Sequence, residues 1–415
     1  MSPFLKRLDG LPPTLRRPVD PGTLAEAAAI VEDVRRRGET ALREHGERLG
    51  DLGPGEELVR DRAGLEQATT AITGEQLGLL ERVTGRVHAF ATEQRKALGE
   101  VDVPVQGGRA GHRWIPVSSA GAYVPGGRHP LPSSATMTIV PARVAGVETV
   151  WAASPRPTPV TLAAAAIAGA SGLLAVGGAQ AVAALAFGTL SPPCQMIVGP
   201  GNKWVTAAKK HLYGEIGIDG LAGPSEILVV ADDSADPDLV AADLLAQAEH
   251  DTEATPMLVT TSESLLGRVE ASIGVQLSDL PTSKTAAAAL GNGFALVVAS
   301  LQEAALAADE LAPEHLALHV EDGEELALSL HSYGSLFIGG GSAEAFADYG
   351  VGPNHVLPTG GGARYQSGLS VLTFLRSPTW SRLDDPAVLV DDTVHLARLE
   401  GLEAHARAAR MRSGG

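Results

Sequence analysis

An α/β protein of two Rossmann-like, doubly wound units, with a helical N-terminal region and a helical C-terminal tail, is predicted by three observations on this chain. Strand-like and helix-like stretches alternate through most of its 415 residues. The alternation comes as two successive βα series of similar size. An apolar content of 44% suffices to fill more than one core.

Residues 1–116 read as a helical region expected to pack on the second unit. Leu24, Ala27, Ile30, Val31 and Val34 recur at helical spacing, and Arg35, Arg36 and Arg37 follow on a solvated face. A second amphipathic stretch runs over 77–97. The first unit, 117–225, holds a strand at 148–154, a helix at 158–169 and a strand at 173–176. A helix from Ala179, a strand at 196–198 and a helix from Asn202 follow. The second unit, 226–374, opens with a strand at 226–231, a helix at 237–249 and a strand at 256–260. Further strands fall at 295–299 and 335–338. Residues 375–415 form a polar, mostly helical tail. In such units ligands are expected where strand ends meet helix starts.

Composition narrows the class. A net charge of −17 opposes a general affinity for nucleic acid or an anionic membrane. The single cysteine, Cys194, cannot close an internal disulfide, which suits a reducing, cytoplasmic setting. Its neighbours Pro192, Pro193 and Gln195 offer no cation to activate a thiolate. The N-terminus lacks the apolar core of a secretory signal. No charge occurs between Arg156 and Lys203, but Gly177-Gly178 and Pro192-Pro193 break that stretch, which reads as buried helices and strands.

Several clusters carry chemistry. Three glycine-rich turns, 121–127, 177–180 and 199–202, sit at or before helix starts, where free N–H groups can hold a phosphate. None is a Gly-x-Gly-x-x-Gly fingerprint, and each also reads as an ordinary tight turn. Gln247 and His250 lie three apart and project from one helix face, as two ligands of a zinc ion or as a solvated pair at a helix end. Glu314 and His315 are adjacent before a strand, where they could divide acid and base work. Asp348, Tyr349, Asn354 and His355 lie in a loop too polar for a core. Glu400 and His405 stand near the C-terminus, where a histidine is commonly just exposed.

Taken together these segments resemble the histidinol dehydrogenase family over about residues 20–410. The resemblance rests on GAYVPGG, PARVAGV, VGGAQAVAALAFGT, VGPGNKWVTAAKK, AGPSEILVVAD, DLLAQAEHD, APEHL, DYGVGPNHVLPTGG, GLSV and EGLEAH, in that order. It implies one zinc ion per subunit on Gln247, His250, Asp348 and His405, the last supplied by the partner of a homodimer with exchanged tails. It implies Glu314 and His315 as the catalytic pair, and Tyr123, Gln180 and Asn202 as NAD contacts. Ser133, Ser225, Glu344, His355 and Glu400 would meet the amino alcohol, beside the zinc ligands and His315. The implied reaction is L-histidinol to L-histidine through a held aldehyde, with two NAD reduced.

Two departures bear on the substrate. Arg128-His129-Pro130 stands where the family has small residues, and 363–371, with Thr379-Trp380 beyond, resembles a paralogous branch that includes sulfopropanediol dehydrogenases. Arg128 or His129 in the pocket would favour an anionic diol; outside it, they would meet cofactor phosphate or a subunit contact. A non-catalytic metabolite-binding protein and a zinc hydrolase are the rivals from other classes.

Overall fold

The structure, a computed structural model, describes residues 4–12, 19–53, 55–126 and 130–412. Arg128 and His129, singled out above, lie outside the described residues.

Two six-stranded sheets organise the molecule. The first is built from β1 (Ser119–Tyr123), β2 (Thr149–Ala153), β3 (Gly172–Leu174), β4 (Met196–Val198) and β5 (Gly217–Ile218). Its order is β5-β4-β1-β2-β3, all parallel, with Val59–Asp61 added antiparallel beside β3. The second contains β6 (Glu226–Ala231), β7 (Thr255–Thr260), β8 (Phe294–Val297), β9 (His315–His319) and β10 (Ser335–Ile338). Its order is β8-β7-β6-β9-β10, again parallel, and Lys6–Leu8 lies parallel on the outer edge of β8. Each unit therefore has the same doubly wound order, completed at one edge by a short N-terminal strand.

Helices cross between the strands: α1 (Pro132–Ala145), α2 (Pro159–Ala168), α3 (Gly178–Phe187), α4 (Lys203–Leu212) and α5 (Pro237–Ala248). Their starts are written locally. Thr158 accepts from the Thr161 amide ahead of Pro159, Asn202 accepts from the Trp204 and Val205 amides, and Asp236 accepts from the Asp238 amide. The strands of the second sheet are apolar runs because helices cover both faces; every residue of β6, β7 and β9 is buried.

Three expectations are corrected. The N-terminal helices pack chiefly on the first unit, not the second. Pro21–Arg37 lies on α3 and α4, Arg62–Thr69 on α2 and Gly74–Lys96 on α1. Leu65, Leu80, Val87 and Ala91 join one core of the first unit, and Ala27, Val31, Val34 and Leu42 the other. Amphipathic spacing shows that a face is buried, but not against what. The segment from 121, read as a glycine turn, begins as strand: Gly121 and Ala122 lie in β1, where Gly121 lets Leu185 and Ile197 close on the backbone. The tail, read as mostly helical from 375, opens with strands. Leu375–Arg376 pairs with Ile115–Pro116, and Thr379–Leu383 pairs with Gly108–His112 of the hairpin that includes Val101–Val105. Helices Val390–Leu399 and Glu403–Arg410 follow.

The link 219–225 joins the end of β5 to the start of β6. It sets the carboxyl edge of the first sheet against the amino edge of the second, and the site lies there.

Candidate active site

His315 opens β9 and Glu226 opens β6, one register step from the Ile227–His315 pair. Both stand at the amino edge of the second sheet. Helix α5 runs back to that edge, carrying Gln247 in its last turn and His250 just beyond. After β10 the chain returns through Gly339-Gly340-Gly341 to the short helix Glu344–Asp348, whose two terminal carboxylates share one face. The chemistry of the second unit thus gathers where strands begin, not at the carboxyl edge where it was expected.

There, His250 Nε2 lies 3.5 Å from Asp348 Oδ2 and 4.0 Å from Glu344 Oε1. These three donors fall within 4.8 Å of one another. Tetrahedral zinc with bonds of about 2 Å spaces its ligands roughly 3.3 Å apart, so this nitrogen and oxygen set fits the ion with small adjustment. Gln247 is fully buried beside them. Its side-chain amide lies 3.2 and 3.3 Å from the Glu344 carboxylate and 3.2 Å from both the Glu226 carbonyl and His315 Nδ1. His355 Nδ1 sits 3.1 Å from the Asp348 carbonyl and holds that residue from behind. Farther back, His319 Nε2 meets Asp243 Oδ2 at 2.8 Å and ties β9 to α5.

Burial sets the protonation states. The Glu314 carboxyl is raised well above the usual carboxylate range by desolvation, against the pull of the Glu226 amide it accepts at 2.9 Å. Glu344 is raised likewise by burial and by its neighbours Asp348, Glu314 and Asp243. A cation among these acids would relieve that crowding. The His315 imidazole is pushed down to about 4 by burial, so it is neutral at physiological pH. Its Nδ1 lies 3.2 Å from the Glu226 carbonyl, which takes the ring proton there. Its Nε2 is buried and has no partner among the described residues. A lone pair without a donor inside a protein is a base waiting for a ligand's proton.

A cavity of about 670 Å³ adjoins Glu226 between the two edges, lined among others by Tyr213, Pro224, Thr359, Gly360 and Tyr365. The Gly360 amide donates to Glu226 Oε1 at 2.9 Å, and the Gly223 amide to Thr359 Oγ1 at 2.6 Å. Ser225 is half-buried next to Glu226, and its carbonyl accepts from the Thr255 amide; Ser133 is half-buried in the first turn of α1.

At the carboxyl edge of the first sheet, Tyr123 ends β1 and its hydroxyl accepts from the Gly178 amide at 3.1 Å. Gln180, fully buried, is in the first turn of α3. Asn202 is exposed at the start of α4. Gly199 has φ +113°, and a Cβ there would come within 2.2 Å of the Tyr123 carbonyl oxygen. Its amide donates to Asp219, which pairs with the buried Lys209. The turn at 199 follows β4, at the point where strand order reverses between β1 and β4, and the turn at 177 follows β3, with β2 between it and β1. The Gly177, Gly178 and Gly199 amides donate to Asp51, the Tyr123 hydroxyl and Asp219, and the Trp204 and Val205 amides to Asn202.

Glu400 and His405 are exposed on the tail helices, and neither joins the His250 cluster within this chain. Two residues that sequence reasoning passed over belong to the site. Glu226 fixes Glu314, His315 and Gly360 at once; its signal was a carboxylate opening an otherwise apolar strand. Asp51, from the N-terminal region, accepts from Gly177 and Gln180, and no local pattern pointed to it.

Doubly wound units meeting edge to edge over a buried imidazole, a carboxyl and a cluster of possible metal ligands define an α/β protein with a candidate acid–base site. The histidinol dehydrogenase family model matches residues 18–413. A histidinol dehydrogenase from Haloarcula marismortui is 44% identical over 391 residues, 92% of each chain. One from Thermus thermophilus is 44% identical over 397 residues, 95% of each. The crystal structure of histidinol dehydrogenase from Elizabethkingia anophelis superposes with a TM-score of 0.92 at 29% identity, over 99% of this chain and 98% of that one. The chain belongs to the histidinol dehydrogenase family.

Proposed function

We propose that this protein is a zinc-dependent, NAD-linked dehydrogenase that oxidises L-histidinol to L-histidine in the cytoplasm. The observation that carries the reading is the unpaired, buried Nε2 of His315, held as a base by the Glu226 carbonyl and flanked by Glu314 and the His250 cluster. When bound, zinc on Gln247, His250, Asp348 and His405 of the partner subunit polarises and orients the alcohol, and NAD⁺ accepts hydride.

His315 Nε2 takes the hydroxyl proton as hydride leaves the carbinol carbon, giving the aldehyde. Glu314, in its ionised form, takes a proton from the water that adds to that aldehyde, while His315 returns its proton to the aldehyde oxygen, which gives the hydrate and frees Nε2. His315 then takes a hydroxyl proton of the hydrate as the second hydride leaves, giving the carboxylate. Ser133, Ser225, Glu344, His355 and Glu400 line the amino alcohol, and the carboxylates suit its ammonium group. Tyr123, Gln180 and Asn202 hold the nucleotide.

A homodimer with exchanged tails accounts for two exposed apolar surfaces. The tail presents Leu396, Leu399, Leu402 and Met411 to solvent, and Phe346, Tyr349 and Val351 are exposed around Asp348. Their contact across a two-fold axis would bring His405 to the other subunit's cluster. The test is stoichiometry: zinc-loaded protein with limiting L-histidinol should release two NADH per substrate. No NADH would refute histidinol as substrate, and NADH from sulfopropanediol instead would move the protein to the paralogous branch.

A further inference from the structure

Helix α1 carries a proline where an α-helix is least able to take one. Pro141 lies in its interior, so no N–H is offered to the carbonyl of Met137, the residue four positions back. The proline ring also crowds that carbonyl and turns it away from the helix axis. Met137 is fully buried, and a buried acceptor needs a donor from elsewhere.

The donor comes from the second unit. Asn354 Nδ2 donates to the Met137 carbonyl at 2.7 Å, while Asn354 Oδ1 accepts from the Val356 amide at 2.9 Å. Val356 itself is buried in the core of the first unit, in one cluster with Ile139 and Val140 of α1. At the other end of the loop, the Gly350 carbonyl accepts from Arg86 Nε at 2.6 Å. Arg86 belongs to the helix Gly74–Lys96, which packs on α1. Gly350 has φ +85°, and a Cβ there would lie 2.6 Å from the Val83 side chain of the same helix. The loop 349–356 is therefore seated on two helices that cover the first sheet. The groups it carries work in the second unit: His355 Nδ1 lies 3.1 Å from the Asp348 carbonyl, and Asp348 Oδ2 lies 3.5 Å from His250 Nε2.

We propose that Asn354 is a positioning residue for the metal site. Docked on the carbonyl that Pro141 leaves open, it fixes His355 and, through it, Asp348, so that the first unit sets the ligand geometry of the second. The inference rests on the reading of the His250 cluster as a zinc site. The competing account is that Asn354 only satisfies a buried carbonyl and so stabilises the fold. Pro141→Ala separates the two, because alanine returns an N–H to the Met137 carbonyl and draws it back into the helix.

The measurement is chelator competition for zinc in each variant. The visible absorption of the cobalt-loaded protein reports ligand geometry, and thermal unfolding of the metal-free protein reports stability. Asn354→Ala should weaken zinc about tenfold, the scale of a lost support behind a metal ligand, and shift the cobalt bands. Pro141→Ala should weaken zinc by a similar factor while its unfolding midpoint holds or rises. The double variant should bind zinc no more weakly than either single one, because both changes remove the same contact. Wild-type zinc affinity and cobalt bands in Asn354→Ala, whatever its midpoint, overturn the proposal alone. So does wild-type zinc affinity in Pro141→Ala, or a pair of single losses that add in the double variant. Wild-type protein that takes up neither zinc nor cobalt overturns the metal reading itself, and the proposal with it.

Discussion

The two units share one strand order and use opposite edges of it. In the first, helix starts stand at the carboxyl edge, and the turns at 177 and 199 before α3 and α4 are held by Asp51, Tyr123, Asp219 and Asn202. In the second, the polar groups at the inter-unit cleft are the side chains of Glu314, His315, Gln247 and His250, at the starts of strands and the end of α5. The difference follows from the peptide dipole. Helix N-termini carry partial positive charge and suit a diphosphate; helix C-termini carry partial negative charge and suit a cation. Joining the carboxyl edge of one sheet to the amino edge of the next thus sets helix N-termini against helix C-termini. Shared topology did not mean a shared site position.

Variants can break that division of labour. The largest effect is expected for His315→Ala: kcat should fall by about 10³-fold, the scale of a lost general base, with zinc content and NAD⁺ affinity unchanged. A fall in nucleotide affinity in this variant would mean that the units are not separable. Next, His250→Ala should weaken zinc retention at least about 100-fold by metal analysis, while calorimetry still finds NAD⁺ bound. The reciprocal change lies in the first unit. Gly199→Ala forces a Cβ against the Tyr123 carbonyl, and should lower unfolding stability by roughly 2–4 kcal/mol and NAD⁺ affinity with it, leaving zinc content intact.

A smaller effect sharpens the picture of the tail. Coexpressed His250→Ala and His405→Ala chains should recover about a quarter of wild-type activity, because half the dimers are mixed and each mixed dimer holds one whole site. Tails folded back within their own chain would give no recovery. The smallest effect concerns Cys194, the one thiol of the first unit. Burial pushes it up to about 12, so iodoacetamide at neutral pH should leave it unmodified, and activity intact, until the protein unfolds.

Much of this was legible in the sequence. The runs at 226–231 and 256–260 read as strands because both sheet faces are covered and their interiors are apolar. Gln247 and His250 stood three apart, a spacing that equally fits a solvated pair at a helix end, and only the family resemblance singled them out. Other features were hidden for physical reasons. β1 is made partly of glycine and alanine, which have weak strand propensity and are placed by close packing with Leu185 and Ile197. Asp51 reaches Gly177 across a long loop of sequence, and a tertiary hydrogen bond leaves no periodic trace. Which unit the N-terminal helices cover depends on a surface they meet only when folded.

The strand Lys6–Leu8 has a consequence for handling the protein. It occupies the outer edge of β8, and Glu270 holds its approach by accepting from the Phe4 and Leu5 amides at 2.7 and 2.9 Å. A chain trimmed past Leu8 would present Phe294–Val297 with an unpaired row of N–H and C=O groups, a template on which a second trimmed chain could add its own strand. Such a protein would self-associate and precipitate at concentrations the full chain tolerates, with its catalytic residues still in place.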